Sequence, residues 1–542
     1  MPGYEYKQPT RSLVSQQDSA TIERANVPRS KFINQWSRKT AFKAGRLIPF
    51  LLDEILPGDH MTYDVTAYVR LATPLFPLFD TQRIDTHFFF VPNRLVWTNW
   101  VKFMGEQTNP ADTIAYTVPV IPLNIDATVN SIYDHMGIPI VDQGFAGAFN
   151  VNALPFRAYA LIYNTWFRDE NLTNSNPVPL TDGPDASNTY AIGNRAKSHD
   201  YFTSALPWPQ KFTAPTVPVG GLAPIIGLGF QNPTAAYTAG PVNVFETGGV
   251  ANTYANYLDK NTAANRLIAN AQGGAGAALP AIYADLTQAT GVAINTLRQA
   301  FLIQQLLERD ARGGTRYVEL IRSHFGVVNP DFRLQRPEYI GGGQSPLNIT
   351  PIAQTAPVAG VGPLGALGAA GTSSGRHHAS YAATEHGYII GIISVKSELS
   401  YQQGLHKTFT RSTRYDYYWP SLAGLGEQAI LNKEIYLAGG GLDNNVFGYQ
   451  ERWQEYRTRY SDVTAIMRSY APGTLDAWHL SQKFLTLPIL GNTFIFDTPD
   501  MARVLSAGVN AHDQEYLADI LYHRTAVRPI PTYGTPVTLG RF

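Results

Sequence analysis

Residues 47–107 read LIPFLLDEILPGDHMTYDVTAYVRLATPLFPLFDTQRIDTHFFFVPNRLVWTNWVKFMGEQ. From Tyr63 the side chains alternate. Tyr63, Val65, Ala67, Val69 and Leu71 fall on one face, and Asp64, Thr66 and Arg70 on the other, the period of a half-buried strand. Pro74 and Pro77 end the run, because proline brings no donor to a ladder. A second strand is expected over Arg83–Val91. It is apolar on both faces at its end, where Phe88, Phe89, Phe90 and Val91 follow one another. Pro92 stops it. Trp97, Trp100, Val101 and Met104 are spaced i, i+3, i+4, i+7, which predicts one stripe of a short helix, with Gly105 placed to close it.

Outward from this segment, the chain has 542 residues, no cysteine, 15% charged and 12% aromatic residues. Disulfides, thiolate metal sites and cysteine nucleophiles are therefore excluded. So low a charge with so many aromatics points to surface that ends up against other protein, since interface cores are rich in Tyr, Trp and Phe and poor in charge. No apolar leader opens the chain and no run approaches a membrane span. The expectation is a protein made and used in soluble form, without membrane insertion.

Net charge is zero but uneven. Residues 1–46 carry nine basic side chains against three acidic ones, and show no sustained hydrophobic period. This reads as an extended basic arm able to neutralise phosphates without reading sequence. Its candidate contacts are Arg11, Arg24, Arg29, Lys31, Arg38, Lys39 and Lys43. Further strands are expected over Gly387–Leu399, Thr493–Phe496 and Leu517–Val527. Helices are expected over Tyr159–Trp166 and Val292–Ala311, the latter with Gly313-Gly314 past its end. Widely spaced strands with long connections fit a jelly roll better than βαβ units.

Two stretches differ from this pattern. Phe212–Thr290 holds five charged residues in 79, and 27 that are Gly or Ala; it reads as a surface insertion. Gly341–Ser380 has nine glycines and one charge, Arg376, and reads as a glycine-rich loop. The core is then 47–211 with 291–542.

Tests for chemistry are negative. Asp53 and Glu54 point to opposite faces of an extended chain and make no acid–base pair. His377, His378 and His386 fit no metal-ligand spacing and read as loop histidines. No phosphate-binding glycine motif is present, so no cofactor is expected. Residues 447–460, FGYQERWQEYRTRY, interleave aromatics with arginines, a pattern that serves interfaces or stacked bases. Trp97, Trp100, Trp453 and Tyr456 are the candidate subunit-interface residues.

Several long words give the chain a family resemblance. IPFLLDEILPGD, RLATPLFPLFD and FFFVPNRLVWTNWVKFMGEQ resemble the major capsid protein of microviruses, small single-stranded DNA bacteriophages, of the gokushovirus type. So do WFRDEN (166–171), HDYFTSALPWPQK (199–211), LRQAFLIQQLLERDARGGTRYVELIRSHFGV (297–327), RLQRPEYIGG and TAVRPIPTYG. The resemblance implies a mainly β viral jelly roll, an eight-stranded antiparallel barrel or sandwich with long loop insertions and a few short helices. It implies self-assembly into a T=1 icosahedral shell around circular single-stranded DNA, inside the host bacterium. A small basic internal DNA-binding protein would be a further partner. The insertion would form a protrusion at the threefold axes that meets a host surface receptor, with Phe230, Tyr237, Phe245, Tyr254 and Tyr257 as candidate contacts. A jelly-roll carbohydrate-binding or carbohydrate-active protein is the competing reading. It needs a secretion signal and a convergent carboxylate pair, and the sequence displays neither.

Overall fold

The computed structural model describes residues 29–106, 111–123, 127–140, 149–215, 294–314, 335–353, 367–506 and 514–533, a few isolated residues, and the backbone of short strands between 225 and 284. The chain divides into two compact units: Gln210–Gly326, and the remainder.

In the larger unit the first four strands are β1 (Ser30–Phe42), β2 (Ile48–Ile55), β3 (His60–Leu71) and β4 (Gln82–Pro92). A small pair, β5 (Val120–Leu123) and β6 (Phe149–Asn152), follows with helices α1 (Trp100–Phe103), α2 (Ile132–Met136) and α3 (Leu154–Ile162). The smaller unit contributes short antiparallel pairs, β7 to β12, between Ile225 and Ala284, and α4 (Ile294–Arg312). The larger unit resumes with β13 (Glu338–Pro346), β14 (Asn348–Ala353), β15 (Leu367–Ala382) and β16 (Gly387–Ser397). After the pair β17 (Glu427–Leu431) and β18 (Val446–Glu451) it ends in β19 (Tyr516–Arg528).

Hydrogen bonding orders the long strands β1-β19-β3-β15-β13-β4-β16-β2, with β14 on the flank of β15. Counted along the chain as first to eighth, one half of this sheet runs 1-8-3-6 and the other 5-4-7-2. Two interlocked Greek keys of this kind make a jelly roll. The barrel closes where β1 and β2, the two ends of the path, meet through side chains: Arg38 on β1 donates to the Phe50 carbonyl on β2 at 2.9 Å. Tyr522 on β19 donates to the same carbonyl at 2.7 Å and stacks between Trp36 and Phe50.

The alternation in β3 puts Met61, Tyr63, Val65, Ala67, Val69 and Leu71 into the barrel core. The two-faced end of β4 has its own cause. Phe88 and Phe90 point into the barrel, whereas Phe89 and Val91 join a second core outside it, beneath α3. The neighbouring β16 divides the same way, Ile389 and Ile393 inward, Ile390 and Ile392 outward. Each such buried side chain contributes about 1.5–3 kcal/mol, so this sheet is anchored from both sides.

Five expectations are corrected. Residues 30–42, assigned to an extended arm outside the core, are instead a barrel strand paired along its whole length with β19, from Ser30↔Arg528 to Phe42↔Tyr516. Residues 341–380 are largely strand, not loop. The glycines are there for close approach: a Cβ on Gly342 would lie 2.1 Å from the Thr86 carbonyl oxygen, and one on Gly341 2.6 Å from that of His378. At this point β13 pairs with both β4 and β15 and joins the two halves. His377 is no loop residue; it is buried in β15, hydrogen-bonded to Thr86 (2.6 Å) and Ser345 (2.8 Å). Residues 492–495 form a helical turn rather than a strand, and the helix Ile294–Arg312 falls in the smaller unit rather than in the barrel.

Candidate assembly surface

Among the predicted interface residues, Trp97 is 0% exposed. Its indole donates to Asp182 at 2.7 Å, and its ring packs in the second core of the same chain. Trp453 is 4% exposed and donates to the Leu422 carbonyl. Both are interior residues, so neither can touch a second copy. Trp100 is half-buried, edge-on to Trp97 and His386. Only Tyr456, 56% exposed, presents most of its ring to the outside.

Tyr456 belongs to a larger surface that the sequence reading missed. Residues 407–425 run through three short 3-10 turns and leave Phe409 (75% exposed), Tyr415, Tyr417, Tyr418 and Trp419 open. Arginines hold Tyr415, Tyr417, Trp419 and Tyr456 in place. The Arg411 guanidinium lies 4.6 Å from the Tyr456 ring centre and 5.3 Å from that of Tyr417, and is fixed by Glu455 at 3.1 Å. Arg414 covers Trp419 at 5.2 Å and Tyr415 at 5.8 Å. Beneath them Trp453 meets Tyr418 edge-on at 5.5 Å, and Arg452 covers Trp453 at 4.4 Å.

The backbone here is pinned as well. The Asp416 carboxylate accepts the N–H groups of Ser412 (3.0 Å) and Thr413 (2.8 Å). Those bonds to Thr413 and Ser412 bring its pKa down to about 2. The rings are thus ordered before any partner arrives, which lowers the entropy cost of docking. Tyr, Trp and Arg are the residues on which interface energy concentrates. A signal was available in the sequence: residues 415–419, YDYYW, hold four aromatics in five positions beside Arg411 and Arg414.

The basic residues of the first 46 positions divide by role. Arg11 and Arg24 lie outside the described residues. Arg29 donates to the Gly58 carbonyl, Arg38 closes the barrel, and Lys39 pairs with Asp519 at 3.4 Å. Lys31 is exposed. Lys43 lines a cavity of about 280 Å³ with Arg46, Asn130 and Asn188. Tyr237 and Tyr257 lie outside the described residues, as do the side chains of Phe230, Phe245 and Tyr254.

An eight-stranded jelly roll is a fold shared by viral capsid subunits and lectin domains, and a rigid aromatic surface on its loops suits the first of these. Comparison with known proteins gives the family. A family model described as capsid protein (F protein) matches residues 20–538, and the chain belongs to this family of phage capsid proteins. It is 44% identical to capsid protein VP1 of Bdellovibrio phage phiMH2K, over 97% of this chain and 99% of that one. Identity to capsid protein VP1 of Chlamydia phage 1 is 36% (95% and 96% covered), and to that of Spiroplasma virus 4 it is 34% (96% and 97%). The protein is therefore a structural component of a microvirus-type virion, and associates with copies of itself.

Proposed function

We propose that this chain is the major subunit of a small T=1 icosahedral shell, assembled in the bacterial cytoplasm around a circular single-stranded DNA genome. The observation that carries the reading is the pre-ordered surface of Tyr415, Tyr417, Trp419 and Tyr456, with Phe409 exposed beside it in the same segment. A subunit that leaves so many large rings open loses free energy unless another surface covers them. Negative-stain microscopy of the purified chain is expected to find shells of one diameter. A species that stays monomeric across protein concentration and salt would overturn the proposal.

Genome contact is assigned to the first residues of the chain, with a small basic internal protein as a further partner. Arg29, Arg38 and Lys39 already serve the fold and Lys43 lines the cavity beside Arg46, which leaves Arg11, Arg24 and Lys31 as the phosphate contacts. Replacing these three with glutamine is expected to lower DNA content per particle while the barrel stays intact; an unchanged absorbance ratio at 260 and 280 nm would reject the role.

Host attachment is assigned to the insertion at 212–290. Its composition suits a surface that varies without cost to a scaffold. Virions lacking residues 220–285 are expected to assemble and to lose adsorption to host cells. Normal adsorption by such virions would remove the insertion from attachment.

A further inference from the structure

A second feature lies between the outer side of β4 and β16 and the segment that follows α3. It is a cavity of about 330 Å³ lined by His87, Trp166, Phe167, Arg168, Arg195, Lys197, Lys396 and their neighbours. The turn Tyr163–Phe167 continues α3 as a π-helix, a wider turn that often marks a functional site, and Trp166 and Phe167 form its aromatic wall. Trp166 is held by its indole bond to the Pro337 carbonyl at 3.0 Å and by Arg336 over its ring at 5.0 Å.

The polar groups around this space are unevenly satisfied. Arg195 is bound to Asp85 (2.6 Å) and Ser394 (2.7 Å), and Lys197 donates to Gln482 at 3.1 Å. The nearby carboxylates have donors of their own. Asp169 accepts from the backbone of Asn171 and Leu172, and Asp200 from Phe202, Thr203 and Tyr401. Asp497, which burial pushes up to about 6, accepts from the Ser397 N–H. By contrast, the Lys396 ammonium makes no hydrogen bond or ion pair among the described residues, although its backbone is part of the β16–β4 ladder. Arg168 gives Nη1 to the Thr173 carbonyl at 2.9 Å and pairs through Nη2 with Glu170 at 3.6 Å, but its Nε, like His87 Nδ1, is buried without a hydrogen-bond partner among the described residues. Burial and the Arg195 charge bring His87 down to about 4, so at neutral pH its ring is uncharged and Nδ1 can carry a proton to donate. Burial, followed by the charges of Arg195 and Arg83, lowers Lys396 against the smaller opposing pull of Asp497 and Asp85, as expected of a partly buried ammonium in a net positive field.

We propose that this cavity binds a nucleotide, its phosphate held by Lys396, Arg168 and His87 and its base against the Trp166–Phe167 wall. A phosphate offers enough acceptor oxygens for three converging donors, and an aromatic wall accepts any base through its π-face. The phosphate can come from a free nucleotide or from single-stranded DNA. The test uses unassembled full-length protein, so it can fail while the shell reading stands. Calorimetric titration with thymidine 5′-monophosphate is expected to give a Kd below about 1 mM, with thymidine alone silent. Lys396→Gln should weaken binding about tenfold or more at unchanged melting temperature, and Lys396→Arg should restore most of it. If an oligothymidylate of about eight residues displaces the mononucleotide, and its salt slope falls by about 0.7 in Lys396→Gln, the ligand is the strand. Failure of the oligomer to compete makes it a free nucleotide. Inorganic phosphate binding as tightly as the nucleotide would overturn the base contact. No heat up to about 10 mM nucleotide, or full affinity in Lys396→Gln, would overturn the site.

Discussion

Replacing Arg157 with methionine is expected to destabilise the subunit by about 3–5 kcal/mol. Arg157 is on α3 and is 0% exposed. Its guanidinium grips both oxygens of Asp185, at 2.8 and 2.6 Å, while Nη1 donates to the carbonyls of Val96 and Thr181 at 3.1 and 2.9 Å. Tyr190 donates to the same carboxylate at 2.6 Å. One side chain therefore ties two separate segments, the turn at Val96 and the loop 181–185, to the helix that covers the outer core. Methionine fills similar volume but leaves Asp185 as a buried charge facing only Tyr190, and strands two carbonyls. That uncompensated carboxylate dominates the cost. The double replacement Arg157→Met with Asp185→Leu should recover much of the loss, because it removes the charge along with its partner. Urea unfolding of the purified subunit reads both values. A single-replacement cost below about 1 kcal/mol, typical of a solvated surface pair, would show that water reaches the site and that the network does not hold the loops.

Changing Phe409, Tyr415 and Trp419 together to serine should leave the subunit folded and abolish shells at concentrations where the unaltered chain assembles. Each ring is exposed, so its loss removes little from the monomer. At a docked surface an aromatic anchor is commonly worth about 2 kcal/mol or more. Three anchors, repeated at every symmetric contact, therefore shift the assembly threshold by several orders of magnitude. Sedimentation velocity separates monomer, small oligomer and shell, and circular dichroism confirms the fold. Shells forming at the original threshold would move the main contacts elsewhere on the surface. The helix Ile294–Arg312, which leaves Phe301 and Leu302 exposed, would be the next surface to test.

Strands with clean alternation were legible from the residues alone, and β3, β4, β16 and β19 fall where the pattern put them. The apolar run at Phe88–Val91 was also legible as two-faced, although only the structure supplies the second core that explains it. Strand β1 was obscured by its charges. Phe32, Trp36 and Phe42 do recur on one face, but Arg38 sits among them and spends its charge on a backbone carbonyl. Glycine misled the reading of β13 and β15, because close backbone approach and loop flexibility produce the same composition. Aromatics misled it at Trp97 and Trp453, since spacing along a helix or turn cannot say whether a ring faces a neighbour or its own core. Strand order was beyond local pattern altogether: Ser30 pairs with Arg528, and no periodicity reports a contact over that separation.

That pairing has a consequence in time. The strand that begins the barrel cannot complete its pairing until residue 528 has been synthesised, on the order of a minute at ordinary ribosomal rates. Until then one half of the sheet lacks its second strand, and long-range pairing of this type is slow even once the chain is free. A nascent chain therefore cannot present a finished docking surface to the neighbours being made on the same message. Synthesis of β19 becomes the event that completes the barrel, and until then the open edges of β1 and β3 are where a nascent chain is exposed to mispairing.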